Sequence, residues 1–134
     1  MKLAFFSFFI IMISMIVIDA LWLGLMLSRF YAPNIGHLLK DSMSLAPAVI
    51  FYILYAIALN VFVVIPALKN HTGYLDLFLL GLLFGLVTYG TYDLTNQVTL
   101  KNWPWKLTLV DMSWGSFLTG LVSLISTFVT RYFW

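Results

Sequence analysis

Four long apolar stretches separated by short polar breaks organise this chain, running over residues 3–27, 46–68, 74–98 and 107–130. A helix needs about 20 mostly apolar residues to cross the hydrocarbon core of a bilayer, and each stretch supplies them. The pattern predicts an all-α integral membrane protein: one transmembrane domain over residues 1–134, folded as an up-down four-helix bundle. Pro47 suits the first turn of the second span, where a missing N–H costs little. Pro66, near the end of that span, predicts a kink or a stop.

The breaks carry patterns of their own. In the first, residues 28–45, Ile35, Leu38, Leu39 and Met43 recur at helical spacing with His37, Lys40 and Asp41 between them. That spacing predicts a short amphipathic helix lying at the membrane interface, which either fills that interface or caps a site below it. Lys69-Asn70-His71-Thr72-Gly73 reads as a short turn. Trp103-Pro104-Trp105, bracketed by Lys101 and Lys106, reads as an interfacial loop whose tryptophans belong to the aromatic belt.

Composition sharpens this picture. The chain has 134 residues, 63% hydrophobic and 9% charged, with mean hydropathy +1.01. Soluble domains carry about 25% charged residues, so this chain could not cover a water-facing surface. A net charge of +2 without basic clusters excludes a nucleic-acid footprint. The absence of cysteine removes disulfides, thiolate metal sites and cysteine nucleophiles. Met1-Lys2 before an apolar run resembles a signal peptide. The run to Leu27 exceeds the ~7–15 residues of a signal h-region, however, and no small-x-small site precedes Arg29. It is expected to remain as the first span.

Even span number puts both ends of the chain on one side. Lys2, Lys69 and Arg131 lie there, against Arg29, Lys40, Lys101 and Lys106 opposite. The positive-inside rule therefore leans weakly toward cytoplasmic odd-numbered loops. Gly81 and Gly85 form a G-x-x-x-G step, and Ser116, Gly120, Ser123 and Thr127 form a small-residue stripe. Such stripes let helix backbones approach in lipid. They serve either packing within the chain, the simpler expectation, or a homo-oligomer.

Only five residues are acidic, all aspartate, and three of them fall in the spans: Asp19, Asp93 and Asp111. An ionisable residue within a membrane span is costly and points to function by default. Asp19 and Asp93 lie near the ends of spans one and three, and Asp111 near the start of span four, so all three share one membrane face. At a 1.5 Å rise they sit roughly 12, 8 and 6 Å below the span boundaries. Tyr89, Asp93 and Asn96 share a helix face at i, i+4, i+7. Trp22 follows Asp19, and Trp114 follows Asp111, by three residues. Indole and phenol groups can donate to a buried carboxylate.

With Tyr52, Tyr55, Tyr92 and Thr95, these residues predict a polar, aromatic-walled pocket near one leaflet, with Asp19, Asp93 and Asp111 as catalytic candidates. No Lys or Arg lies mid-span to neutralise them. Like charges in low dielectric cannot all ionise, so either a proton or a cation sits among the acids, or Arg29, Lys40, Lys101 or Lys106 folds down from the loops. Asp111 could alternatively be a first-turn acid on its helix dipole. Asp41 and Asp76 read as surface acids.

Other chemistries lack their residues. Both histidines, His37 and His71, lie in loops, so no bis-His haem is expected. No mid-span lysine could hold retinal, and neither a nucleophile elbow nor a Gly-rich phosphate loop occurs.

Several of these residues also carry a family likeness. They are Asp19-Ala20-Leu21-Trp22-Leu23-Gly24, Phe30-Tyr31, Gly36-His37-Leu38, Phe51-Tyr52 with Tyr55, and Pro66-Ala67. Further on come Tyr89-Gly90-Thr91-Tyr92-Asp93-Leu94-Thr95-Asn96, Trp103-Pro104, and Asp111 with Trp114-Gly115. Together they resemble a bacterial family of small four-helix predicted membrane proteins of unknown function. The most specific element is T-Y-D-L-T-N. The resemblance implies four helices in a bacterial cytoplasmic membrane and supplies no mechanism.

Three functional readings follow. The first is a site that binds or acts on a lipid-like ligand, with Asp19 and Asp93 as acid and base and Tyr89, Tyr92 and Asn96 orienting; a divalent cation held by aspartates and a headgroup phosphate is a variant. The second is a small proton- or cation-coupled transporter, disfavoured by acids lying off the midplane. The third is a non-catalytic accessory subunit whose acids bond neighbouring helices.

Overall fold

The computed structural model describes residues 2–42 and 44–134. Met1, and Met43 of the expected interfacial helix, lie outside the described residues. Four helices long and apolar enough to cross a membrane account for most of the chain: α1 (Lys2–Leu38), α2 (Leu45–Lys69), α3 (Tyr74–Thr99) and α4 (Trp105–Phe133). No strand occurs among the described residues.

The first polar break is helical only as far as Leu38, as a continuation of α1; Leu39, Lys40 and Asp41 of the expected amphipathic helix lie outside it. The α-helix of Lys2–Met26 passes into a wider π-turn at Leu27–Tyr31, then into a helical turn at Ala32–Ile35 and a tight one at Gly36–Leu38. A second π-turn, Asn60–Val64, interrupts α2. Each turn is closed by the N–H of the residue before a proline: Ala32 N–H bonds the Leu27 carbonyl ahead of Pro33, and Ile65 N–H bonds that of Asn60 ahead of Pro66. A proline inside a helix lacks its N–H and crowds the carbonyl four residues back. Widening the preceding turn by one residue relieves that crowding, so both helices continue past their prolines. Thus Pro66 does not stop α2, which runs on to Lys69.

The buried residues Ser7, Ile11, Met15 and Asp19 repeat every four positions and form one stripe along α1. α4 is the most enclosed helix and packs chiefly against α3 and α1. Its face toward α3 carries small residues, as the stripe predicts. A Cβ at Gly81 would meet Ser123 Oγ at 2.7 Å and Gly120 Cα at 2.8 Å, and one at Gly85 would meet Ser116 Cα at 2.8 Å. The G-x-x-x-G step is therefore used inside the chain. Ser116 Oγ also donates across the contact to the Leu82 carbonyl at 2.8 Å.

α2 is held differently. Its backbone approaches α3 mainly at the Asn60–Val64 turn. There Asn60 accepts from Ser7 Oγ at 2.7 Å and donates to the Ala4 carbonyl at 2.7 Å. The α2–α3 turn reverses on His71, whose φ of 50° is left-handed. Thr72 N–H closes it on the Ala67 carbonyl at 3.1 Å, a helix-ending arrangement that satisfies late carbonyls. Arg131 clamps the same end, donating to the carbonyls of Ala67 and Thr72 at 3.1 and 2.9 Å.

Trp103 departs from the belt expectation. It is 6% exposed, whereas Trp105 is 61% exposed. Trp103 joins Phe30, Ile35 and Leu107 in a small apolar cluster that seats the end of α1 on the start of α4. Its indole N–H donates to Thr108 Oγ1 at 3.0 Å, and its carbonyl accepts from Gln97 Nε2 at 3.1 Å. Thr108 satisfies the polar edge of the indole within the protein, and Gln97 the main-chain carbonyl, so the ring has no need of the interface.

Candidate functional site

The acid-bearing ends of α1, α3 and α4 come together with the first half of α2. Asp19, at the end of the α1 stripe and 8% exposed, accepts from Tyr52 Oη on α2 and from Trp114 Nε1 on α4 at 3.0 Å. The indoles of Trp22 and Trp114 stack at 4.1 Å with planes 6° apart. That stacking crosses the expected pairings: each tryptophan is aligned with its counterpart, not with the aspartate three residues before it. Trp22 Nε1 donates to Tyr31 Oη at 3.1 Å, and Tyr31 donates to Asp111 Oδ1 at 2.5 Å. Asp111 lies beyond the first turn of α4, so it is bonded by Tyr31 and not by its own helix end.

Asp93 is 0% exposed, and neither carboxyl oxygen has a hydrogen-bond donor. Across the α3–α4 contact its carboxyl lies close to that of Asp111. Two carboxylates so placed repel in a low dielectric, and the arrangement becomes attractive with a proton or a cation between them. The hydrogen-bond donors around Asp19 and Asp111 are tyrosine and tryptophan. Of the loop cations, Lys106 lies over the Phe30 ring, 5.6 Å from its centroid. Among the described residues no three Asp, Glu or His side chains converge as metal ligands.

Beside the pair lies a cavity of about 380 Å³, lined by Phe51 and Tyr55 of α2, Thr88, Tyr89 and Tyr92 of α3, and Asp111 of α4. It occupies the gap that forms where α2 and α3 part beyond the Asn60–Val64 turn. Tyr55 bridges that gap, its hydroxyl 3.0 Å from Thr88 Oγ1 and 2.6 Å from Thr119 Oγ1. Gly115 makes room for the Tyr89 ring, which a Cβ there would overlap.

Residues 4–128 match the family described as Predicted membrane protein (DUF2177). The chain belongs to this family. No curated protein and no solved structure matches it. The stretch matched to DUF2177 takes in every residue named above from Ser7 to Thr119.

The structure brings Asp93 and Asp111 together, and Asp111, Tyr55, Tyr89 and Tyr92 around the cavity. Asp19, Trp22, Tyr52 and Trp114 form an adjoining network of their own. Asn96 is half-buried within reach of Tyr92. Thr95 points away: it is exposed, and its hydroxyl folds back onto the Thr91 and Tyr92 carbonyls of its own helix. Tyr31, Phe51 and Thr88 join the arrangement without having been singled out as site residues. Tyr31 and Phe51 do belong to the motifs of the family likeness. Thr88 sits one residue before Tyr89 and bears no other mark in the sequence.

Proposed function

We propose that the cavity between α2, α3 and α4 binds a lipid-like molecule within a bacterial cytoplasmic membrane. The observation that carries this reading is an aromatic-walled space of about 380 Å³ with one carboxyl, Asp111, on its lining. That volume lies in the ~300–1,000 Å³ range of small-molecule sites, which combine apolar walls with a few placed polar groups. A position between two parting helices suits an amphiphile whose head enters while its tail stays in hydrocarbon.

In this reading Asp111 meets the ligand and Asp93 backs it. Tyr89, Tyr92 and Thr88 shape the walls. Asp19, fixed by Tyr52 and Trp114, joins α1, α2 and α4 and so holds the site's shape. The Asp93–Asp111 pair could also give or take a proton at a bound head, the feature through which binding would become acid–base chemistry.

Native mass spectrometry of the protein in mild detergent, beside an Asp111→Asn variant, tests the proposal. A discrete small molecule is expected on the first and strongly reduced on the second. Equal occupancy in both would sink it.

A further inference from the structure

We propose that the ligand's head is cationic, an alkylammonium or a similarly charged amine, and that its counter-charge is the Asp93–Asp111 pair. This rests on the cavity being a ligand site, as proposed above, and adds the chemical class. Three observations select it. The lining contains four aromatic rings, Phe51, Tyr55, Tyr89 and Tyr92. Ring faces attract cations, and aromatic cages are a recurrent way to recognise ammonium groups. The lining contains no Lys or Arg, the residues that recognise phosphates and carboxylates. Finally, Asp111 lines the cavity while Asp93, fully buried behind it, has no donor on either oxygen.

The charges balance without a further group. A carboxyl pair holding one proton carries a single negative charge, which one ammonium neutralises. Tyr31 donates to Asp111 Oδ1, and a carboxylate offers about four acceptor sites, enough for that bond, the pair's proton and an N–H of the ligand. A phosphate head would face carboxyl and ring electrons with no basic side chain on the lining to receive it. The divalent-cation variant, in which aspartates and a headgroup phosphate share a metal, fits this lining poorly for the same reason.

The test uses three amphiphiles of equal chain length, dodecylammonium, dodecanol and dodecyl phosphate, titrated by equilibrium dialysis against the full chain in a non-ionic detergent. Uptake by protein-free micelles is subtracted. Dodecylammonium is expected to saturate at one per chain, at least tenfold tighter than either analogue. Asp111→Asn should abolish that preference, and Tyr92→Leu should weaken dodecylammonium at least threefold. Tyr92 is 54% exposed, so its variant keeps the test open should Asp111→Asn fail to fold.

Equal binding of all three, lost on Tyr92→Leu, would leave the ligand site standing and overturn the cationic head. Dodecylammonium binding that both variants leave unchanged would overturn the inference, since the binding would lie elsewhere. Saturable binding of none would overturn the ligand site as well.

Discussion

Gly85→Ala is expected to be among the most damaging single-methyl changes in this protein. The added Cβ would sit against the backbone of α4, 2.8 Å from Ser116 Cα and close upon the Gly115 carbonyl, with Thr119 Oγ1 at 2.6 Å. The threonine hydroxyl can rotate, but the backbone atoms cannot. Bringing 2.8 Å out to an ordinary 3.4 Å requires α3 and α4 to part by at least about 0.6 Å, and the closer Gly115 carbonyl asks for more. Overpacking of a well-filled contact costs ~1–3 kcal/mol. The separation also stretches the Ser116–Leu82 hydrogen bond that crosses the contact, and interhelical bonds in membranes average ~0.6 kcal/mol. A loss of roughly 2–3 kcal/mol follows.

Gly24→Ala is the matched control, because a Cβ there meets nothing within 4 Å. Alanine is the better helix former by ~1 kcal/mol, so this variant should match or exceed the wild type. Unfolding free energies measured by steric trapping in bicelles would compare the two. If Gly85→Ala proved as stable as Gly24→Ala, the close α3–α4 approach described here would be wrong.

Other expectations can be checked more briefly. Trp22→Leu removes the stacked indole pair, worth ~0.5–1.5 kcal/mol beyond area burial, and it frees Tyr31 from its donor. The near-UV circular dichroism of the stacked indoles should vanish, and an unchanged spectrum would contradict the stacking. Asn60→Leu should cost ~1–2 kcal/mol, since it deletes two interhelical bonds and leaves Ser7 and the Ala4 carbonyl only each other, within α1; α2 should then become more susceptible to protease near its Lys69 end. Arg131→Lys should loosen the α2–α3 turn despite keeping the charge, because the Ala67 and Thr72 carbonyls both accept from Nη2, whose two N–H bonds a planar guanidinium holds in fixed directions that a freely rotating ammonium does not reproduce. Faster amide exchange at residues 70–74 is the readout.

Much of the architecture could be read from the sequence because hydropathy and small-residue spacing report one-body properties. A run of apolar side chains spans a bilayer whatever its neighbours do, and Gly81 and Gly85 invite a close partner whichever helix supplies it. Chain alternation likewise places Asp19, Asp93 and Asp111 at one end. What escaped depends on pairs. Asp19 and Trp22 are three residues apart, yet Trp22 bonds Tyr31 because its ring is committed to Trp114 on another helix. Trp103 looks like a belt residue until Gln97 and Thr108 satisfy its polar atoms inside the protein. Tyr31 reaches Asp111 because α1 continues, through the π-turn ahead of Pro33, into a segment that hydropathy alone assigns to a loop.

The buried pair itself yields the sharpest expectation, that Asp93→Asn leaves stability at or above the wild-type level. Asp93 is fully buried and faces Asp111, with no donor from elsewhere in the described residues. If a proton joins the two carboxyls, an asparagine amide replaces its O–H by an N–H of similar reach, and Asp111 keeps a donor. The variant also keeps the pair's single negative charge, so dodecylammonium binding should survive. If instead a cation joined them, asparagine would remove half its counter-charge. Breaking a buried charge pair by removing one partner costs ~3–5 kcal/mol, and the cationic ligand would be lost as well. Among the described residues no third Asp, Glu or His joins the two carboxyls, whereas a metal cation takes several more oxygens, so the proton is the better joint. Asp93→Leu completes the comparison: it offers Asp111 no donor and should cost ~1–3 kcal/mol by stranding a buried polar group. Measuring both variants at neutral pH decides the matter, and an Asp93→Asn protein less stable than Asp93→Leu would refute the shared proton.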